Sequence, residues 1–432
     1  MDEHSVERFP NMPSVIAPVA ALLLSVALLL MGNGLQGTLL PVRAQLEDFG
    51  SLSIGILGSF YFAGFALGCL LGPKAVQRVG HIRVFTAMVS IASTISILHS
   101  MVVTPELWWF FRGITGFCFA TLYMVIESWL NEKSTNETRG MIFSIYTVIN
   151  LSVITVGQMM LTFASPLSFT LFGLASILVS VAAVPIAMTR APAPQPLSVV
   201  KIRPKYLYGI SPAGFVGCFA VGLANGSFWS LAPVFAQRTD GDVSAIAIFM
   251  SVAVIAGAIG QYPLGRLSDK IDRRKVIVLS CLGAAAAGIS LTIVGHYWEP
   301  GLLIAAAFFG LFAFPVYALC VAHLNDNVEA DGFVEAASGL LLIFAAGAII
   351  GPLIASTAMR FFGADMLFAY TTVVHLLVAA FIIVRMRKRE ATPVDDRVQF
   401  DDSVRVAQTV SSVDTNSELS DDKTADPEPS GH

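Results

Sequence analysis

Twelve apolar runs of about 20 residues or more recur along this chain, each long enough to cross a ~30 Å hydrocarbon core. They fall at about 15–40, 51–73, 83–103, 106–130, 140–164, 167–188, 208–236, 244–265, 275–295, 300–323, 334–359 and 364–385. Backbone N–H and C=O groups find no water in lipid, so each run must bond its own groups, as a helix does. The chain is therefore expected to be an all-α membrane protein. Composition agrees: 55% of residues are hydrophobic, 13% are charged, and the mean hydropathy is +0.72. These values exclude an ordinary soluble domain. The first run lacks a short apolar core ending in a small-residue cleavage site, so it reads as a span and not as a removable signal.

The bases give a direction. With residues 1–14 inside, 19 Lys and Arg from Arg8 to Arg389 fall at cytoplasmic ends and loops, and only Arg43, Arg238 and Arg360 fall opposite. That asymmetry predicts a multi-pass protein of the cell inner membrane with both termini cytoplasmic. The pairs Trp108–Trp109 and Tyr297–Trp298 open outer helix ends, where amphipathic rings favour the interface. Cys69, Cys118, Cys218, Cys281 and Cys320 all lie within spans without metal-ligand spacing, and read as small packing residues.

The two halves of the chain align. At an offset of 192, Asn33, Gly34, Leu39, Pro41, Val42, Ala44 and Gln45 meet Asn225, Gly226, Leu231, Pro233, Val234, Ala236 and Gln237. At 194, Gly116, Tyr123, Leu130, Asn131 and Glu132 meet Gly310, Tyr317, Leu324, Asn325 and Asp326. A parallel duplication of six spans predicts two pseudo-symmetric bundles, 15–189 and 208–387, joined by a cytoplasmic linker at 190–207. APAPQP and KIRPK in that linker predict an extended, basic spacer. Residues 388–432 form an acidic tail: from 391 onward it holds ten Asp and Glu against three bases, with no apolar stretch able to form a core. It is expected to be disordered, as a solvated tail or as a partner-binding one.

Between the eighth and ninth runs lies GRLSDKIDRRK, Gly265 to Lys275. An acid and a cluster of bases directly after a helix-ending glycine suit a tight turn held at the positive side of the bilayer. The string resembles the loop motif of the major facilitator superfamily, Gly-x-x-x-Asp-Arg/Lys-x-Gly-Arg-Lys. Gly265, Asp269, Lys270, Arg273 and Arg274 match, while Asp272 stands where glycine is usual. The first-half loop, PKAVQRVGHIR, carries Gln77 in place of the acid. The resemblance implies the major facilitator fold, twelve transmembrane helices in two six-helix bundles. It also implies a cytoplasmic gate drawn from Arg78, Arg83, Glu132, Gly265, Asp269, Lys270, Arg273, Arg274 and Asp326. VIESWLNE and its echo AHLND are similar to the YcaD-like branch of that superfamily. The glycine–proline pattern of its drug antiporters is missing from the fifth run, where Gly157–Gln158 stands, and GAIIGP appears instead in the eleventh.

Ionisable groups inside a membrane are costly and so are functional candidates. On the fourth run Arg112, Gly116, Phe119, Tyr123 and Glu127 fall in one stripe about 80° wide, which would face a cavity or a partner helix. RGITGF, from Arg112, resembles the superfamily's Arg-x-x-x-Gly motif, implicated in proton coupling. Arg112 would then serve coupling or the cavity, or else snorkel to the outer headgroups. Glu127 would carry the coupling proton, or anchor the turn around Arg78 and Arg83. Asn33, Gln36, Tyr61, Tyr123, Asn150, Asn225, Trp229 and Tyr317 are candidates for a central substrate cavity, against the plainer reading of interhelical hydrogen bonds. Glycines beside Asn33 and Asn225 would permit a local break that exposes backbone carbonyls.

No HExxH, phosphate loop or nucleophile–base set occurs, so an enzyme, an ATP-driven pump and a nucleic-acid binder are not expected; neither is a cofactor or a metal. The expectation is a secondary transporter, a monomer in the bilayer, moving a small organic molecule by alternating access. Protons would drive it, by efflux or by uptake symport. A non-transporting sensor or scaffold is the alternative, and the acidic tail is its support.

Overall fold

The computed structural model describes residues 19–135, 138–188, 203–240, 242–294, 299–328, 332–388, 393 and 397–400. Twelve helical spans carry the apolar runs. In the first half they are α1 (Ala20–Leu46), α2 (Ser51–Val79), α3 (His81–Met101), α4 (Pro105–Glu132), α5 (Arg139–Met159) and α6 (Phe169–Val181). A 3-10 turn, Met160–Phe163, extends α5, and Ala183–Ala187 extends α6. In the second half they are α7 (Pro212–Asp240), α8 (Val243–Lys270), α9 (Arg273–Val294), α10 (Glu299–Ala313), α11 (Phe333–Phe362) and α12 (Met366–Met386). Pro315–Asn325 continues α10 after a break at Phe314, where Pro315 cannot donate to the preceding turn. Sharp turns fall where backbone freedom allows: Gly80 (φ 89°) ends α2 and Gly363 (φ 101°) ends α11. The side bearing Gly80, Asp272 and Asp326 is called the basic face below, and the opposite side the far face.

Helix association in a membrane has no hydrophobic drive and depends on close packing, so glycines at contacts are decisive. A Cβ on Gly34 of α1 would stand 2.6 Å from the Ile154 carbonyl oxygen of α5, and one on Gly226 of α7 would stand 2.6 Å from Ala348 Cα of α11. Offsets of 192 and 194 relate these two contacts, the same offsets that align the halves. Gly157 against Met31 and Gly351 against Leu223 repeat the relation, as do Gly116 against Tyr61 and Gly310 against Ala253. The duplication therefore extends from the letters to the contacts themselves. GAIIGP in α11 has this role: Gly347 abuts the Phe219 carbonyl and Gly351 that of Leu223.

The two bundles share one apolar core toward the far face. There Leu39, Ile54 and Leu57 of the first half join Phe228, Leu231, Phe235 and Met359 of the second. Gly55 and Gly58 of α2 press on Ser356 and Pro352 of α11 and on Ser230 of α7. Arg238 at the far end of α7 donates to Gln45 Oε1 (3.3 Å) and Ser51 Oγ (3.2 Å). Toward the basic face the halves keep separate cores, crossed only by Leu341 and Leu342 of α11 among the described residues.

Four expectations are corrected. Glycine does not unwind α1 or α7 beside Asn33 and Asn225; both helices are continuous, and the missing side chains let α5 and α11 approach. Trp108 is not an interface ring. It is fully buried, stacks edge-on against Phe49 and His99, and donates Nε1–H to the Val102 carbonyl (2.7 Å). Tyr297–Trp298 lies outside the described residues. The linker is not extended throughout: Pro204–Ile210 is a helix, opened by Pro204, and Ser211 Oγ then caps α7 by accepting from Gly214 N (3.0 Å). Finally, Arg397–Phe400 of the tail is docked on the second bundle, with Phe400 only 3% exposed against Gly265; the rest of the tail lies outside the described residues, save Pro393.

Gly34→Val and Gly226→Val should each destabilise the protein by about 1–3 kcal/mol through overpacking. Gly37→Val, where a Cβ meets nothing within 4 Å, should leave the melting temperature of the detergent-purified protein near wild type. Equal melting of all three variants would contradict the paired-glycine account.

Candidate functional site

A small cavity of about 30 Å³ lies between the bundles beneath the far-face seal, lined by Leu57, Tyr61, Phe62 and Arg112 of the first half and Trp229 and Ser230 of the second. The stripe on α4 places Arg112 there. Gly116, one turn on, seats α4 against the backbone of α2 at Tyr61. The Arg112 guanidinium then lies over the Tyr61 ring, 4.2 Å from its centroid. Arg112 is 9% exposed, and its Nη1 has no hydrogen-bond partner. It does not snorkel. Asn33 of α1 reaches the hydroxyls of both Tyr61 and Tyr123. Trp229 stacks on Phe314 at the break in α10 (5.6 Å, 14°). Sequence reasoning missed Ser230 and Phe314. The signal for Phe314 was the proline that follows it.

Glu127, 2% exposed, lies 15 residues along α4 from Arg112, or roughly 22 Å, so the two charges do not pair. Tyr146 of α5 donates to Glu127 Oε1 at 3.4 Å. Tyr123, and Tyr317 of the other bundle, lie within electrostatic reach of the carboxylate. Several of the expected cavity residues hold buried polar atoms with no partner: both Gln36 amide atoms, and Oδ1 of Asn33, Asn150 and Asn225. The Tyr317 hydroxyl is another, its ring edge-on to Phe344. Buried polar atoms left without a partner suit a ligand or water, and they weaken the reading of interhelical hydrogen bonds, although none of these five residues lines the small cavity.

At the basic face the GRLSDKIDRRK turn builds a charge network. Arg273 is 1% exposed and divides its guanidinium between Asp269 Oδ1 and Asp326 Oδ1, each at 2.8 Å. Asp272, in the usual glycine position, accepts from Arg274 N at 3.0 Å, capping the start of α9, and from Arg274 Nη2 at 2.9 Å. The tail completes the network. Arg273 donates to the Val398 carbonyl (2.8 Å), Val398 N to Asp326 Oδ1 (3.2 Å), and Phe400 N to Asp269 Oδ1 (2.9 Å). Lys270 is exposed, as are Arg78, Arg83 and Glu132 in the first half. The structure thus gathers the second-half gate residues and leaves the first-half ones at the surface.

The profile of the Major Facilitator Superfamily matches residues 214–415. An uncharacterized MFS-type transporter from Enterobacter sp. (strain 638) is 27% identical over 386 residues, 87% of this chain and 96% of that protein. The uncharacterized MFS-type transporter YcaD of Escherichia fergusonii is 25% identical over 390 residues, 87% of this chain and 98% of that protein. Over residues 214–415 the chain is similar to the major facilitator superfamily, and both relatives carry the same MFS-type description. The fold matches other transporters of known structure. The nucleoside transporter NupG aligns with a TM-score of 0.72 at 13% identity, covering 86% of this chain and 99% of that one. A bacterial homolog of the human lysosomal transporter Spinster, in an inward-facing and occupied conformation, aligns at 0.73 and 16%, covering 90% and 99%. At such identities these neighbours speak for the facilitator fold alone. The chain is thus a multi-pass membrane transporter, and the similarity to YcaD read from VIESWLNE extends over most of its length.

Two carboxylates of the facilitator loop network titrate in opposite directions. Burial pushes Asp326 up to about 6, against the pull of Arg273. Burial would also raise Asp272, but the hydrogen bonds from Arg274 outweigh it and hold that carboxyl below its ordinary value. A group whose pKa is higher folded than unfolded stabilises fully below its unfolded value, about 4 for Asp, and loses that contribution as pH rises through its folded value. Thermal stability should therefore decline as pH rises from about 4 to 6.5, and Asp326→Asn should flatten that slope whatever it does to absolute stability. An unchanged slope in Asp326→Asn would remove Asp326 as its source.

Proposed function

We propose that the chain is a secondary active transporter, acting as a monomer, that moves a small organic solute across the cytoplasmic membrane by alternating access with protons as the driving ion. The observation that carries this reading is the asymmetry of the cores: one shared core toward the far face, two separate cores toward the basic face, and between the bundles a small cavity into which Arg112 brings an unpartnered Nη1. An access cycle needs two bundles that can part on either side around a fixed site. The base count supports a cytoplasmic basic face, and with that orientation this conformation would be inward-facing. Asn33, Gln36, Tyr61, Tyr123, Asn150, Asn225, Trp229 and Tyr317 would line the route.

Glu127 is the proposed proton carrier, on the side of the cavity that communicates with the cytoplasm, with Tyr146 holding its carboxyl in place. Its burial between the bundles supports this reading, because a buried acid changes its interactions when it gains or loses a proton. The gate would be the Asp269–Arg273–Asp326 cluster, facing the exposed Arg78, Arg83 and Glu132.

In proteoliposomes, Glu127→Gln should abolish accumulation driven by a proton gradient and keep substrate exchange, which needs no net proton movement. If both activities fall together, Glu127 is structural. If gradient-driven transport persists at the wild-type rate, Glu127 is not the coupling site. Reversing the imposed gradient separates efflux from uptake.

A further inference from the structure

The cation of Arg112 is enclosed without an acid. Among the described residues it forms no ion pair, its Nη1 is unpartnered, and its guanidinium lies over the face of Tyr61. A ring quadrupole offsets only part of the cost of removing a guanidinium from water. Arginine presents a flat fork of donors suited to an oxyanion with two oxygens. Around it Leu57 and Phe62 of the first half and Trp229 of the second give apolar and aromatic surface, beside the Ser230 side chain. We propose that this cavity is an anion subsite, and that the transported solute carries a carboxylate or phosphate that pairs with Arg112 and an apolar or aromatic body that lies against Phe62 and Trp229. In the present conformation the cavity has room for only about two waters. The body would therefore extend from Arg112 toward Asn33 and Tyr123, where the bundles separate.

This assignment rests on the transport reading but is tested without transport. Purified full-length protein is titrated with one-ring probes of matched size (benzoate, phenyl phosphate, benzamide and benzylammonium), and its melting temperature is followed. The anions should stabilise, with the amide and the ammonium weaker by roughly tenfold or more in apparent affinity, the scale of one charge-assisted pair. Arg112→Gln should remove the anion effect, and Arg112→Lys should keep part of it, which guards against a variant that fails to fold. Stabilisation equal among the four probes, anion stabilisation retained in Arg112→Gln, or no stabilisation by either anion would each overturn the subsite. Flux measurements alone decide the transport reading, so the two failures are distinguishable.

A separate set of contacts lies at the basic ends of α8 and α9. Phe400 fills the notch over Gly265, Arg397 Nη1 donates to the Ile271 carbonyl (2.6 Å), and the backbone of Val398 and Phe400 bonds Arg273, Asp326 and Asp269. The geometry points to residues 397–400 as an internal latch that favours the conformer with the bundles apart on the basic face. While it is seated, the buried charges of the loop are bound within the second bundle, and the glycine notch is closed to any other helix. Labels at Lys74→Cys and Lys275→Cys, both exposed, report the separation by electron–electron resonance. Phe400→Ala, and a chain ending at Asp396, should each shift the distribution to shorter distances. Unchanged distributions in both would overturn the latch, as would longer distances in either.

Discussion

Backbone-to-backbone approach at glycine is the contact on which this molecule is built. In lipid a leucine gains nothing by leaving the solvent for a neighbouring helix, so a bundle must be held by close fit. Gly34, Gly157 and Gly116 supply that fit in the first half, and Gly226, Gly351 and Gly310 supply it at matching positions in the second. The result is two bundles that are tight internally and meet through a smaller surface. Gly55 and Gly58 form part of that surface, which is why the halves can lie close at the far face while they diverge at the other.

The halves have kept their packing and divided their chemistry. Arg112, Glu127, Asn33 and Asn150 belong to the first bundle, and Glu127 has Val321 at the corresponding place in the second. The loop network shows the reverse. Asp269, Arg273 and Asp326 align with Gln77, His81 and Glu132, where no equivalent cluster of charge forms. His81 instead packs against Trp129 and bonds Ser128 (3.2 Å), a neutral version of the same corner. Duplication set the frame, and later substitution placed the polar cavity mainly on one side and the charged turn on the other.

Much of this was legible in the letters, because the bilayer removes alternatives. A run of 20 apolar residues has one stable form in lipid, and an offset repeated over two segments has one simple origin. The α4 stripe was legible for the same reason, since helical geometry alone brings Arg112 and Glu127 to one side. What stayed hidden depended on contacts between distant segments. Trp108 looked like an interface ring until Phe49 and His99 enclosed it. Phe400 sits in a stretch too polar for a core of its own and is buried only because Gly265 leaves a notch. Asp272 broke the motif by identity yet kept its turn by capping α9, a substitution of mechanism that a consensus string does not record.

The placement of the two membrane charges follows from this arrangement. Arg112 lies near the sealed end of α4, where water is scarce and a fixed cation makes its strongest interactions. Glu127 lies at the other end, where the cores separate. One rigid helix thus joins a dry site that favours a negative partner to a carboxyl close to the open side. A solute seated at Arg112 and a proton at Glu127 would act on the same bundle from positions about 22 Å apart. Any coupling between them must then pass through the relative position of the two bundles, because the charges are too far apart for direct contact. The bundle interface lined by Tyr61, Trp229 and Tyr317, and not α4 by itself, is the element whose two positions both sites would bias.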